Sequence, residues 1–273
     1  MGKKRQGFMN LAYWEKGFSH RESLFTSAEL EEVYTVLNSF HQKCIKENNA
    51  LFLDQAINSS GITGRRYLDQ ASRLSLFRFI SHQKIMALIM DIIPTKPCFM
   101  NTQLFFNPNN AEQKNYWHRD PQYHLSLEEQ KEALQGPEVL HIRIAFKDET
   151  GLELIPGTHK RWDSAAELDV RLEKMNGIVF HDLPGTNIMP LQAGDVLLFS
   201  GNMIHRGLYG MDRFALDILV CCAAEHLVSF AEEHCLPSKD EQVKINRPAL
   251  FNNTIALKNQ SDLRHRMLVH QYF

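Results

Sequence analysis

The spacing of apolar residues changes once along the chain, near Pro97, and this change limits the fold more than any other feature. Before it the spacing is helical. Thr26 and Glu29 form a capping-box pattern, and Leu30, Val33, Leu37 and Phe40 follow on one face. A second helix is predicted from near Ser81, with Ile85, Leu88, Ile89 and Ile92 on one side and Pro94 as its stop. After Pro97 short β-branched and aromatic runs take over, at 100–106, 139–146, 196–199 and 214–222. Turn sequences separate them, notably Ile155-Pro156-Gly157-Thr158 and Leu191-Gln192-Ala193-Gly194-Asp195. Charged helical insertions are expected at 126–134 and 164–175. Helices followed by many short strands predict a mainly β fold with flanking α, an antiparallel sandwich or barrel with N-terminal helices packed outside. We read one domain over 1–273, with a mostly helical part (1–96), a β core (97–226) and a C-terminal extension (227–273) whose elements the pattern does not assign.

Composition narrows the partners. The chain has 273 residues, 44% of them hydrophobic, enough for one sizeable core. Thirty Lys and Arg against thirty-two Asp and Glu leave a charge of −2, and no long basic run argues for nucleic acid. The five cysteines form no CxxC pair, which speaks against a disulfide framework or a thiolate zinc cluster and suits a reducing compartment. Met1-Gly2-Lys3-Lys4-Arg5 lacks the apolar stretch of a signal peptide, and Gln6 stands where myristoylation prefers Ser or Thr. We expect a cytoplasmic protein without a membrane partner, acting on a small molecule; the oligomeric state is not legible.

The chemistry concentrates in Tyr116-Trp117-His118-Arg119-Asp120. On an extended chain, residues i and i+2 project to one face, so His118 and Asp120 offer one nitrogen and one oxygen donor to a divalent ion. His205, 205 − 118 = 87 residues on and downstream of the Gly194-Asp195 turn, is the best third ligand. Two histidines and one carboxylate form one face of the octahedron in non-haem Fe(II) oxygenases, leaving the opposite face for cosubstrate and dioxygen. The competing reading is a surface His–Asp pair with His205 in a loop; His124, His141, His159 and His181 also compete as ligands. Arg213 opens the last clear strand, where a guanidinium can grip a carboxylate bidentately. Alternatively it pairs with Asp212 or Asp217 at the surface. Tyr123, His124, Arg143 and Trp162 are candidates for the substrate pocket, each equally readable as packing.

With these residues in place, the chain resembles the phytanoyl-CoA dioxygenase family of Fe(II)/2-oxoglutarate oxygenases. The signatures are Trp117-His118-Arg119-Asp120, Gly151 with Leu154-Ile155-Pro156-Gly157-Thr158-His159, Gly194-Asp195 with His205, and Arg213. Thr150 stands where the family usually has Asn, and Thr158 where it has Ser. The resemblance implies a double-stranded β-helix (a cupin-like jelly roll), iron on His118, Asp120 and His205, and 2-oxoglutarate anchored by Arg213. In ectoine hydroxylases, one branch of the family, a Gln and an Asn four residues apart touch 2-oxoglutarate; Gln103 and Asn107 have that spacing. Gly207 occupies a position where the family often has a hydroxyl residue.

The implied activity is hydroxylation of a small organic substrate with consumption of dioxygen and 2-oxoglutarate and release of succinate and CO2. Related halogenases replace the ligand carboxylate with a small residue, so Asp120 favours hydroxylation. The alternatives are a cupin-type metal enzyme, such as an isomerase or epimerase, and a non-catalytic binding module on the same fold.

Overall fold

The computed structural model describes residues 11–172 and 181–270. Two antiparallel sheets face each other. The strands are β1 (Phe18–Arg21), β2 (Asn58–Ser60), β3 (Cys98–Phe106), β4 (Val139–Ala145), β5 (Glu149–Leu154), β6 (Asn187–Leu191), β7 (Val196–Ser200), β8 (His205–Gly207) and β9 (Phe214–Cys221). The larger sheet has the order β1-β7-β4-β9-β3-β2 and the smaller β6-β5-β8. This is the predicted jelly-roll arrangement, open rather than closed into a barrel.

Alternation along the central strands decides what the large sheet covers. Leu140, Ile142 and Ile144 of β4, Val196 and Leu198 of β7, and Leu216, Ile218 and Val220 of β9 share one buried cluster with the N-terminal helices. Those helices are α1 (Ser27–Glu47), α3 (Gln70–Ile80) and α4 (Gln83–Ile92); a short α2 (Ala50–Gln55) follows α1 in the chain. Helix α1 is capped by Thr26 and Glu29 and buries Leu30, Val33, Leu37 and Phe40, as its spacing predicts. Helix α4 buries Ile85, Leu88, Ile89 and Ile92. The sheet's opposite face carries His141, Arg143, Asp217 and Phe199, all buried, toward the small sheet. Strands buried on both faces must bring their polar residues partners from within the fold.

Three features depart from the sequence reading. The N-terminal part also supplies β1 and β2, both edge strands of the large sheet, and an unforeseen helix, α3. Strands β5, β6 and β8 form the whole small sheet; β8 is the expected strand that carries His205, whereas β5 and β6 are not expected, and all three runs are short and broken by polar residues. The C-terminal extension is helical, with the long helix Ala249–His270 packed on β3 through Thr254, whose hydroxyl donates to the Phe99 carbonyl at 2.9 Å. The charged insertions form helices Leu127–Ala133 and Ala165–Arg171; residues 173–175 of the second expectation lie outside the described residues. Among the described residues no helix is long and apolar enough to cross a membrane.

Two glycines sit at close backbone approaches, Gly151 within β5 against β6 and Gly194 in the turn from β6 to β7. Gly151 has φ +86°, and a Cβ there would lie 1.8 Å from the Met189 carbonyl oxygen in β6. Gly194 has φ +95°, and a Cβ would lie 2.2 Å from the Phe25 carbonyl oxygen. Both conformations and both close approaches require glycine.

Candidate metal centre

His118 and His205 meet through their backbones before their side chains. Each donates its N–H to the other's carbonyl, at 2.9 and 3.0 Å, in an isolated bridge between the two segments. The rings therefore lie side by side, with centroids 4.2 Å apart. Arg119 is extended, so alternation carries the chain to Asp120 as predicted. The extended run ends there, however: Asp120 opens a 3-10 turn, Asp120–Tyr123, and its N–H donates to the Gly201 carbonyl at 3.2 Å. Strand geometry alone does not bring Asp120 into place; the turn completes it.

Asp120 Oδ1 stands 3.7 Å from His118 Nε2 and 3.8 Å from His205 Nε2. The three donor atoms lie within 4.8 Å of one another. Donors sharing an octahedral ion at roughly 2.1 Å stand about 3 Å apart, so a small contraction suffices. His205 Nδ1 faces the Met203 carbonyl at 3.1 Å, and His118 Nδ1 faces that of Tyr116 at 3.3 Å. A carbonyl only accepts, so Nδ1 carries the proton in both rings and each Nε2 keeps its lone pair for an ion. Burial holds both imidazoles neutral, His118 down to about 3 and His205 also below its ordinary value. Burial alone would raise the Asp120 carboxyl, but His141 beside it, above all, holds it well below the usual carboxylate range. Neutral nitrogen donors beside an ionised carboxylate are what a ferrous ion requires, so these residues fit the metal.

His141 was weighed above only as a competing ligand. It instead backs the centre from the wall: Nε2 is 2.6 Å from Asp120 Oδ2 and Nδ1 is 3.4 Å from Asp217 Oδ2. From there a buried alternation of charge continues. Asp217 Oδ1 accepts from Arg143 Nη1 at 3.1 Å, and Arg143 donates through Nε and Nη2 to Glu149 at 2.7 and 2.9 Å. Glu149 Oε2 then faces Arg213 Nε at 3.6 Å. Cross-strand register builds this row, because Arg143 on β4 pairs with Asp217 on β9, which pairs with Gln103 on β3. The signal available in sequence was His141 and Arg143 at i and i+2 within an otherwise apolar strand.

Arg213 is buried, contrary to the surface alternative, and neither Asp212 nor Asp217 hydrogen-bonds it. Its Nε and Nη1 have no hydrogen-bond partner among the described residues. Burial, with Arg143 nearby, brings its pKa down to about 10. The guanidinium lies 5.3 Å from the ring centres of Phe105 and Tyr209. Gly207 makes room for it, since a Cβ there would be 2.6 Å from Nη2.

The centre opens on a cavity of about 360 Å³ lined by Gln103, Tyr123, His124, Arg143 and Arg213, among other described residues. Gln103 does not lie on an edge strand, because β3 is flanked by β2 and β9. Asn107 is not brought into the lining. Its amide donates to the Met211 carbonyl at 2.7 Å and its oxygen accepts from the Gly210 N–H at 3.0 Å, bracing the turn before Arg213. Trp162 is also elsewhere, half-buried between Lys131 and Arg171. His159 packs against the N-terminal segment, with Nε2 3.2 Å from the Trp14 carbonyl.

Arg119, between the two ligands, was missed as a structural residue. It is 1% exposed and donates to the carbonyls of Thr158 (2.6 Å), Arg161 (3.0 Å) and Asn202, and to Asp163 (2.9 Å). Asp163 is shared with Arg171 at 2.6 Å. The Thr158 hydroxyl accepts from the Ile204 N–H at 3.0 Å, so a hydroxyl at 158 steadies the residue before His205.

A model of the phytanoyl-CoA dioxygenase (PhyH) family matches residues 13–208. The chain belongs to the phytanoyl-CoA dioxygenase family. That match spans the three metal-facing residues, and Arg213 lies just beyond it. The fold agrees with solved structures of low sequence identity. The non-haem α-ketoglutarate-dependent epimerase SnoN from nogalamycin biosynthesis is 14% identical, with TM-score 0.55 over 81% of this chain and 84% of that one. EctD from S. alaskensis, solved with 2-oxoglutarate and 5-hydroxyectoine, is 13% identical, with TM-score 0.56 over 82% and 76%. HygX from Streptomyces hygroscopicus, solved with nickel and 2-oxoglutarate, is 12% identical, with TM-score 0.58 over 79% and 86%. No curated protein matches the chain in sequence.

Proposed function

We propose that the chain is an Fe(II)- and 2-oxoglutarate-dependent dioxygenase that hydroxylates a C–H bond of a small organic substrate. One observation carries this reading: two neutral imidazoles and a carboxylate converge on one point of a cavity that also holds the buried Arg213, whose Nε and Nη1 make no hydrogen bond among the described residues. His118, Asp120 and His205 would hold the ion. A bound ferrous ion would supply the redox chemistry that couples dioxygen and 2-oxoglutarate, with release of succinate and CO2, to substrate oxidation.

The chain's own residues do the rest. Arg213 offers Nε and Nη1 to the far carboxylate of 2-oxoglutarate, a charge-assisted pair strengthened by burial. Glu149 and Arg143 hold that guanidinium's surroundings in place. Gln103 supplies an amide on the same wall. His141 steadies the carboxylate of Asp120 from outside the ligand face. The apolar lining excludes water.

Family membership and the likeness to SnoN, EctD and HygX, the last two solved with 2-oxoglutarate bound, support the cofactor set. SnoN is named as an epimerase, so the same machinery serves more than one outcome, and Asp120 in place of a small residue argues against halogenation. Anaerobic titration of the Fe(II) protein with 2-oxoglutarate tests the reading. A visible metal-to-ligand charge-transfer band is expected, together with slow succinate release once air is admitted. Absence of the band in protein that has taken up iron would end the cosubstrate claim.

A further inference from the structure

The charged groups around the cavity are already engaged. Asp120 faces the metal position and His141, while Arg143, Asp217 and Glu149 are engaged with one another through the contacts above. Arg213 is taken by the cosubstrate; this inference rests on the proposed function for that assignment alone. What remains of the described lining holds no Asp, Glu, Lys or Arg, and much of it is apolar. The apolar part includes Ile57, Met100, Pro121, Val139, Leu219 and Leu227.

Several polar side chains of the lining are satisfied within the protein. The Asn101 oxygen accepts from the N–H groups of Gly61 and Thr102, and its amide donates to Ser60. The Asn202 amide donates to the Ala133 carbonyl at 2.9 Å. The hydroxyls of Tyr123 and Tyr116 pair with each other at 3.2 Å.

The mouth is aromatic. Tyr123 is 51% exposed and Phe230 43%, unusual for large apolar side chains, yet both also line the cavity. The His124 ring lies 5.0 Å from that of Phe230, tilted by 50°, and the Tyr123 ring lies 5.6 Å from that of His118. A collar of rings therefore runs from solvent down to a metal-facing residue. An ionic group entering it would lose its water and meet no counter-ion, whereas a flat neutral skeleton would bury against rings.

We propose that the substrate is an uncharged, predominantly hydrophobic molecule with an aromatic or alicyclic ring, rather than an amino acid, a carboxylate or an acyl-CoA. Imidazoles of His124 and His226 at the same wall can each exchange a hydrogen bond with a neutral oxygen function on it.

The test uses the protein loaded with Ni(II) and 2-oxoglutarate and three probes of one skeleton: 2-methoxynaphthalene, 2-naphthoate and 2-naphthylmethylammonium, followed by saturation-transfer NMR and calorimetry. The neutral probe should bind at least about tenfold more tightly than either ion. Tyr123→Ala, at an exposed position, should weaken the neutral probe severalfold without changing 2-oxoglutarate uptake. Equal or tighter binding of either ion, or binding of none in protein that takes up 2-oxoglutarate, would overturn the proposal. Retained preference for the neutral probe in protein that takes up no 2-oxoglutarate would sink the dioxygenase reading and leave this one standing.

Discussion

His141 Nε2 stands 2.6 Å from Asp120 Oδ2, the carboxylate oxygen opposite the one that faces His118 and His205. The contact is an ion pair rather than a well-aligned hydrogen bond. It fixes which oxygen of Asp120 is presented to an ion. Groups that orient a ligand carboxylate typically contribute 10–100-fold in metal affinity. His141→Asn should therefore weaken Fe(II) binding by roughly that factor, read by competition with a chelator. Unchanged affinity would mean that Asp120 is held without help.

Asp120→Ala should abolish turnover and most of the metal binding. It should also remove the thermal stabilisation that Fe(II) or Ni(II) gives the parent protein, since a ligand that binds only the folded state raises its stability. Undiminished turnover in that variant would contradict the ligand assignment.

Arg213→Ala should mainly raise the 2-oxoglutarate concentration needed for half-maximal succinate formation, since it removes a charge-assisted contact worth about 1.5–3 kcal/mol. Gly207→Ser should act in the same direction, because its Cβ would displace Nη2. Equal 2-oxoglutarate requirements in parent and variants would place the anchor elsewhere.

Arg119→Lys retains the charge but cannot reach three carbonyls and Asp163 at once. Breaking a buried pair of this kind costs about 3 kcal/mol or more. Urea unfolding of the metal-free variant should show that loss, with a fall in metal affinity because Arg119 sits between two ligands.

His159 supplies a pH signature away from the metal. Burial brings its pKa down to about 4. The folded state thus refuses a proton that the unfolded chain accepts near 6.5, so its contribution is whole above about 6.5 and shrinks as pH falls toward 4. On moving from pH 7 to pH 5 the parent should lose more unfolding free energy than His159→Gln. An equal loss in both would remove His159 as the cause.

The strands that were legible are those with a continuous apolar or aromatic run, such as β4 and β9, because burial on both faces leaves that pattern. Most of the small sheet was not legible: β5 carries Glu149 and Glu153, whose charges are matched by Arg143 and Arg206 from other elements. Local sequence cannot report Arg206, 53 residues beyond Glu153, as a partner. The same holds at the site. His118, Asp120 and His205 were readable as donors in the right order, and Gln103 and Arg143 do reach the cavity. Asn107 and Trp162 do not, since a spacing says nothing about which way a loop turns after its strand.

Sequence by itself determined the donor chemistry, the helix caps, the glycine turns and the alternation of the central strands, all of which depend on residues within a few positions of one another. Only the tertiary structure decided that His118 and His205 share a backbone bridge, that Asp120 leaves the strand to face them, and that His141 and Glu149 link the metal end of the cavity to Arg213. Each of those contacts joins segments brought together by sheet register, and register is set by the packing of the whole core rather than by any one stretch of chain.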